Sequence, residues 1–420
     1  MLSRHQLLRS CSTVAAMAAS ASTQVHTIVH FDVNKTIICT DAAGGKSLSD
    51  VLNNLTADFA LGHSDHAAGK WEINATASSE AHGLDSFSNF VEAFLPYTVV
   101  EDGATAEEAA AVKAHNRETR SQRQDMKVKF THEGEPGESL AHIVQDLTER
   151  ISLPSCLKEE CAKYPFLADG FYHIIPAYFE TIEYLAASGE PFGVVFRTFG
   201  SDLPAIMEEH NMYCEARHPA FPEAVPLDGS VSGRPNLKLD TEHTGRIIRH
   251  AGQHGTDLMA LAMTTHSIPG LPAAVDIVTG PLEVAAAIES RLGVKQLPTE
   301  QAAEAAAIAR TNPVHPVLAL RDDYLFWHTH GETAEAGKLL LVDPSDRSVH
   351  SVFFDDNVGE DDACIVDVRN AITGEPMPFS ETKNTFVVRA NVAAAVRDPQ
   401  YFVKQLQMCA ANRAAKHESL

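Results

Sequence analysis

No stretch of this 420-residue chain approaches the run of about 18 apolar residues that a membrane-spanning helix requires. Basic residues are scarce: 33 Lys and Arg stand against 56 Asp and Glu, a formal charge of -23. That balance argues against a nucleic-acid backbone or an anionic membrane surface as the main partner. It leaves a small phosphorylated ligand open, because one phosphate is recognised locally by a cation and a few donors. The 7 cysteines are odd in number, scattered and without a CxxC pair, which argues against a disulfide framework and fits reduced thiols in an intracellular compartment.

Acids are missing altogether before Asp32. Residues 1–24 carry Arg4 and Arg9 among many Ser and Ala, a transit-peptide composition, and are expected to be either a targeting or a disordered extension, with Met17 as an alternative start. The expected location is cytoplasmic or mitochondrial. Asn-x-Thr sequons at Asn34, Asn54 and Asn74 are read as chance in the absence of a convincing secretory leader. Nothing in the sequence sets the oligomeric state.

What is present is ordinary globular composition, 44% hydrophobic and 21% charged, with length enough for two or three domains and a large core. The run Thr27, Ile28, Val29, His30, Phe31 predicts a strand buried on both faces of a parallel sheet, ending on Asp32. Open α/β sheets place ligands in the crevice beyond such strand ends. Asp32, Asn34 and Thr36 then alternate through a tight loop and can converge on one small volume.

Further along, 49–55 starts helical and 140–151 is amphipathic. The whole segment 41–167 lacks strand-like runs at βαβ spacing and reads as an insertion or cap. His63 and His66 could clip a metal, but no third ligand follows at zinc spacing, so a polar loop is favoured. An α/β rhythm returns with a helix over 172–187 and a buried strand over 191–196 that delivers Arg197 and Thr198 to its end. Between 212 and 317 the pattern predicts further sheet layers, a helix over 243–253, a strand over 258–263 and an Ala-rich helix over 299–309. Strand-like runs at 317–320 and 349–354 follow, the second ending in Asp355, Asp356 and Asn357. One or two helices are expected in the tail, 391–413.

Asp32-x-Asn34-x-Thr36 after an apolar strand resembles the first motif of the haloacid dehalogenase (HAD) superfamily. The strand ending in Thr198 resembles its second motif, and the strand ending in Asp355 and Asp356 its fourth. The resemblance implies an α/β class: a doubly wound, mostly parallel Rossmannoid sheet built from 25–40 and 168–390, an inserted, mainly helical cap at 41–167, and a C-terminal helical tail at 391–420. It also implies a Mg²⁺-dependent phosphatase of a small phosphorylated metabolite. Asp32 would attack phosphorus to form an aspartyl-phosphate. Asp32, the Asn34 carbonyl and Asp355 or Asp356 would hold Mg²⁺, Thr198 would donate to a phosphoryl oxygen, and Lys338 would offset charge. Lys338 is preferred to Lys238 because it lies 17 positions ahead of Asp355, about a helix's length, as the third-motif lysine does.

One position departs from the family pattern. Where the phosphatases carry a second Asp, this chain has Asn34, and an amide cannot titrate. Three outcomes stay open: hydrolysis of substrates with good leaving groups, replacement of the base by another group such as His30, His328 or His330, or a catalytically weak or inactive binding or regulatory protein.

Overall fold

The computed structural model describes residues 24–39, 46–74, 83–100, 103, 105–250, 258–264, 274–294 and 315–418. Residues 1–23 of the expected extension and the whole of the expected helix over 299–309 lie outside them. No helix among the described residues is long and apolar enough to cross a membrane.

The strands, in chain order, are β1 (His26–Asp32), β2 (Leu61–Asp65), β3 (Lys70–Ile73), β4 (Asp85–Ser86), β5 (Phe192–Thr198), β6 (Thr244–His250), β7 (Leu258–Thr264), β8 (Ala274–Thr279), β9 (Val317–Arg321), β10 (Lys338–Val342), β11 (Val349–Asp355), β12 (Val366–Asn370) and β13 (Val387–Arg389). Eight of them form one sheet in the order β13-β11-β1-β5-β9-β6-β7-β8. The first six are mutually parallel, and β7 and β8 add an antiparallel edge. The fold is therefore α/β with a six-stranded parallel centre, compatible with a Rossmann-like core.

β1 is central because both of its faces are apolar. Val29 and Phe31 enter one core with Val194, Phe196, Val352 and Phe354, under the helices Pro176–Ser188, Leu203–Cys214 and Tyr401–Glu418. Phe31 stacks on Phe354 and meets Tyr178 and Phe402 edge-on, so its full burial contributes about 1.5–3 kcal/mol plus the ring geometry. Ile28 faces the other side, where Val195, Leu318 and Leu320 pack on the helix Pro281–Arg291 and on Leu339 and Leu341 of β10. β10 pairs with β12 in a separate two-stranded sheet. Its odd and even side chains enter different cores, which explains an unbroken Leu-Leu-Leu-Val run.

The chain winds from β1 to β5 and outward on one side, then returns to lay β11 on the other side of β1. The switch in strand order therefore falls between β1 and β11. Phe31 lies opposite Phe354 and Asp32 opposite Arg197, so the carboxyl ends of β11, β1 and β5 meet at one rim.

Several sequence expectations are refined. The helix expected over 172–187 begins only at Pro176, because Pro suits a first helical turn and holds Ile175 extended. Residues 244–250 are strand β6, not the expected helix. Gly245, Ile247 and Arg249 are buried while Arg246 is exposed, a period of two that the helix reading overlooked.

Segment 46–167 carries the helices Leu48–Phe59, Phe87–Phe94, Ala106–Val128 and Ala141–Ile151, together with a small antiparallel sheet in the order β3-β2-β4. It has its own aromatic core of Trp71, Phe87, Phe90 and Phe130. The helix Leu48–Phe59, capped by a reciprocal Ser47–Asp50 box, joins that core through Ala57 and the main one through Val51, Leu52 and Leu55.

Candidate active site

Four chain segments deliver polar groups to the rim. After β1 the loop turns back through hydrogen bonds from Ile37 N and Ile38 N to the Val33 carbonyl, with Lys35 in the left-handed region at φ 57°. Thr36, thereby tucked under β1, donates from Oγ1 to Asp32 Oδ2 at 3.3 Å. At the end of β5, Thr198 is fully buried and its Oγ1 accepts from Gly200 N at 2.9 Å, leaving the hydroxyl hydrogen as a donor. At the end of β11, Asp355 Oδ1 accepts from Asn357 N at 2.9 Å and Asp356 Oδ1 accepts from Asn357 Nδ2 at 2.8 Å.

Lys338 joins these groups. Its ammonium is 1% exposed and donates to Asp32 Oδ1 at 2.5 Å and Asp355 Oδ2 at 2.7 Å, bridging residues 306 and 17 positions away. The interval to Asp355 holds no helix: Lys338 opens strand β10, and a turn leads into β11. Two buried arginines hold the backbone on either side of it. Arg249 donates to the Gly337 carbonyl at 2.7 Å, and Arg197 to the Leu339 carbonyl at 3.0 Å. Arg197 also forks onto Asp322 at 2.9 and 2.5 Å, and Arg249 reaches Asp367 at 3.0 Å. Gly337 permits this course, since a Cβ there would lie 2.0 Å from the Ile365 carbonyl oxygen. The aromatic face of Phe199 lies 5.0 Å from the Lys338 ammonium.

The electrostatics are those of a crowded anionic centre. Burial pushes the Asp32 carboxyl well above its ordinary range; Lys338 opposes this, and Asp355 and Asp356 add to it. Burial likewise raises Asp356 to about 6, opposed by Lys35 at 3.8 Å and reinforced by Asp355. For Lys338 burial works to discharge the ammonium, yet Asp32 and Asp355 hold its pKa above the usual value. Three carboxyl groups thus crowd around one buried ammonium, Lys338, and one partly exposed ammonium, Lys35.

One oxygen from each of Asp32, Asp355 and Asp356 lies within 4.8 Å of the others, the single group of its kind among the described residues. Oxygen ligands of one Mg²⁺ stand about 3 Å apart when cis and about 4.2 Å apart when trans, so these oxygens would have to draw together to share such an ion. Hard oxygen donors, excess negative charge and raised carboxyl pKa values all suit a divalent cation.

The other sequence candidates are engaged elsewhere. Lys238 pairs with Glu215. His30 is buried against Phe353 and 3.4 Å from Arg197 Nη1, and burial pushes its pKa well below the ordinary value. His328 pairs with Glu332, and His330 stacks on Phe326 with Nδ1 at that residue's carbonyl. His63 lies beside Asn74, and His66 stacks on Phe90. Asn34 donates from Nδ2 to Asp202 Oδ2 at 3.1 Å.

Asp202, Asp322 and Arg249 were given no role on sequence grounds. Arg197 carried a legible signal, since a charge at the end of a strand buried throughout must find a partner. Asp322, directly after the apolar run of β9, is that partner. Asp202 and Arg249 had no local signal. Comparison with protein-family models, with curated proteins and with solved structures finds no match to this chain.

Proposed function

We propose that this chain is a Mg²⁺-dependent HAD-like phosphoric monoester hydrolase acting on a small phosphorylated metabolite through Asp32. The observation that carries the reading is the meeting of Asp32, Asp355, Asp356 and Lys338 at one strand-end rim. Isolated acids at strand ends are common, but a buried ammonium shared by two of three clustered carboxylates is costly to desolvate, and groups perturbed in this way gather at functional sites.

Asp32 and the pair Asp355 and Asp356 would hold Mg²⁺, with the Asn34 backbone carbonyl as a further oxygen ligand. The ion would offset carboxylate charge and polarise the phosphoryl oxygens. In the first step a carboxylate oxygen of Asp32 forms a bond to phosphorus while the bond to the leaving oxygen breaks, its electron pair departing with that oxygen. Thr198 donates its hydroxyl hydrogen to a phosphoryl oxygen, and Lys338 offsets charge on Asp32 and the phosphate. In the second step water attacks phosphorus, the Asp32–phosphorus bond breaks, and the carboxylate is restored with release of inorganic phosphate.

Segment 41–167 is the proposed cap. In support, the Arg120 guanidinium on the helix Ala106–Val128 lies beside Tyr324, whose ring packs on Phe199 near Lys338. Such a cover would screen substrates and exclude water from the phosphoryl centre.

The test is turnover of p-nitrophenyl phosphate by the full chain with and without Mg²⁺. Mg²⁺-dependent release of nitrophenol that Asp32→Asn abolishes is the expected result. Absence of turnover, with metal affinity unchanged by Asp32→Asn, would overturn the enzymatic reading. A second reading, a non-catalytic phosphate-binding protein on the same fold, is favoured by Asn34 alone. It predicts phosphate and Mg²⁺ binding without release of product.

A further inference from the structure

Two arginines stand in register with Thr198 at the same rim. β5, β9 and β6 are neighbours in the sheet, with Thr198 paired to Arg321 and Arg321 paired to Arg246. Paired residues of adjacent strands project to the same face, and alternation along each strand fixes which face that is. Val194 and Phe196 of β5 and Val317 and Ala319 of β9 enter the core that holds Val29 and Phe31, so Thr198 and Arg321 lie on that side. Ile247 enters the opposite core, which puts its neighbour Arg246 on the same side as Arg321. Both arginines are exposed, and neither guanidinium has a hydrogen bond or ion pair with a described residue. The acids that follow Arg321 are turned elsewhere. Asp322 is forked by Arg197 at 2.9 and 2.5 Å, and Asp323 accepts from Phe326 N at 3.1 Å and Arg249 N at 3.2 Å. Like charges set opposite one another on neighbouring strands are destabilising, and this pair goes unanswered in a chain where 56 Asp and Glu outnumber 33 Lys and Arg. An oxyanion between the two guanidinium groups turns that repulsion into forked, charge-assisted hydrogen bonds.

We propose that Arg321 and Arg246 form a second anion subsite beside the phosphoryl group, and that the substrate is a phosphate monoester carrying a second oxyanion, a carboxylate or a further phosphate. The inference rests on the phosphatase reading above and names its substrate class. Neighbouring strands stand about 4.8 Å apart, so the two arginine stems rise about 5 and 10 Å from the strand that carries Thr198. At about 1.5 Å per bond, that interval suits a short skeleton of about three to six carbons between the two anionic groups. The second anion takes no part in bond making or breaking. The arginines bind it, and by holding the far end of the ester they orient its phosphorus towards Asp32.

The test measures kcat/KM of the full chain with Mg²⁺ on two matched pairs, glycerol 3-phosphate with 3-phosphoglycerate and fructose 6-phosphate with fructose 1,6-bisphosphate. The members differ in the second anion, a carboxylate in the first pair and a phosphate in the second. The expected result is a preference of about 10- to 100-fold for the member with the second anion in at least one pair, the range for a hydrogen bond between charged groups, and the pair that shows it identifies the oxyanion. Arg321→Met and Arg246→Met keep an apolar stem and remove the charge. Each should cut the preference severalfold, and the double variant should bring it to about one, the change falling on KM rather than kcat. Equal values within both pairs in an active enzyme overturn the inference and leave the phosphatase reading standing. A preference that survives in the double variant also overturns it, because another cation then holds the second anion. If no ester is turned over, the phosphatase reading falls, and calorimetric titration of the same pairs reads the subsite alone. Tighter binding of the member with the second anion, lost in the double variant, then retains the subsite, and equal binding or none overturns it.

Discussion

Replacing Asp356 by Asn perturbs the carboxylate centre with almost no change of shape. Burial raises the Asp356 carboxyl from its ordinary 3.8 to about 6, with Asp355 and Asp58 adding to the effect and Lys35 and Lys338 opposing it. The folded chain keeps this proton up to about pH 6, whereas the unfolded chain sheds it near 3.8. Between those values the folded state binds more protons than the unfolded one, so the contribution of Asp356 to stability falls as pH rises and is lost above about pH 6. A rise of about two units corresponds to at most about 3 kcal/mol. Asn cannot ionise and escapes this penalty. It retains an oxygen to accept from Asn357 Nδ2 and gives up the Lys35 contact at 3.8 Å, worth under about 1 kcal/mol. In urea unfolding without divalent cation, Asp356→Asn should match the wild type near pH 4 and exceed it by about 2–3 kcal/mol at pH 7.5. Mg²⁺ should close most of that gap, since saturation at a hundred times Kd adds about 2.7 kcal/mol to whichever protein retains the site. A variant that differs from the wild type by the same amount at both pH values, with an equal response to Mg²⁺, would refute the claim that three acids here repel one another.

Two further substitutions test how Lys338 is held. Lys338→Met leaves Asp32 and Asp355 buried without their shared cation and should cost about 3–5 kcal/mol at neutral pH, less in acid where the raised Asp32 carboxyl takes up a proton. Urea unfolding at two pH values reads this, and a pH-independent cost would contradict it. Gly337→Ala drives a methyl group to 2.0 Å from the Ile365 carbonyl and forces the start of β10 to move, for a loss of about 1–3 kcal/mol. Turnover should fall further than the melting temperature alone explains, because Lys338 is the next residue. Unchanged melting and activity would show that the backbone at Gly337 does not position the ammonium.

Element type was legible wherever periodicity and composition agreed. The runs ending at Asp32, Thr198 and Asp355 are apolar enough that only buried strands accommodate them, and all three lie in the parallel sheet. The reading failed at 244–250, where two adjacent isoleucines between arginines fit a helical face as well as a strand, and the pairing of β6 with β7 and β9 settled the matter. The three short strands β2, β3 and β4 gave little signal because only one residue of each is buried.

The amino-acid sequence by itself determined which carboxylates stand at strand ends, because a strand's burial and its terminus are written in neighbouring residues. It favoured Lys338 over Lys238 on interval alone, and it did not determine that this ammonium bridges Asp32 and Asp355, why Arg197 and Arg249 are buried, or that Asp202 faces Asn34. Apart from Lys338 with Asp355, those pairings join groups 118 to 306 positions apart. They exist only because the crossovers bring β1, β5 and β11 to one rim and lay β10 beneath it, where a buried charge must find an opposite partner or remain at a cost of several kcal/mol.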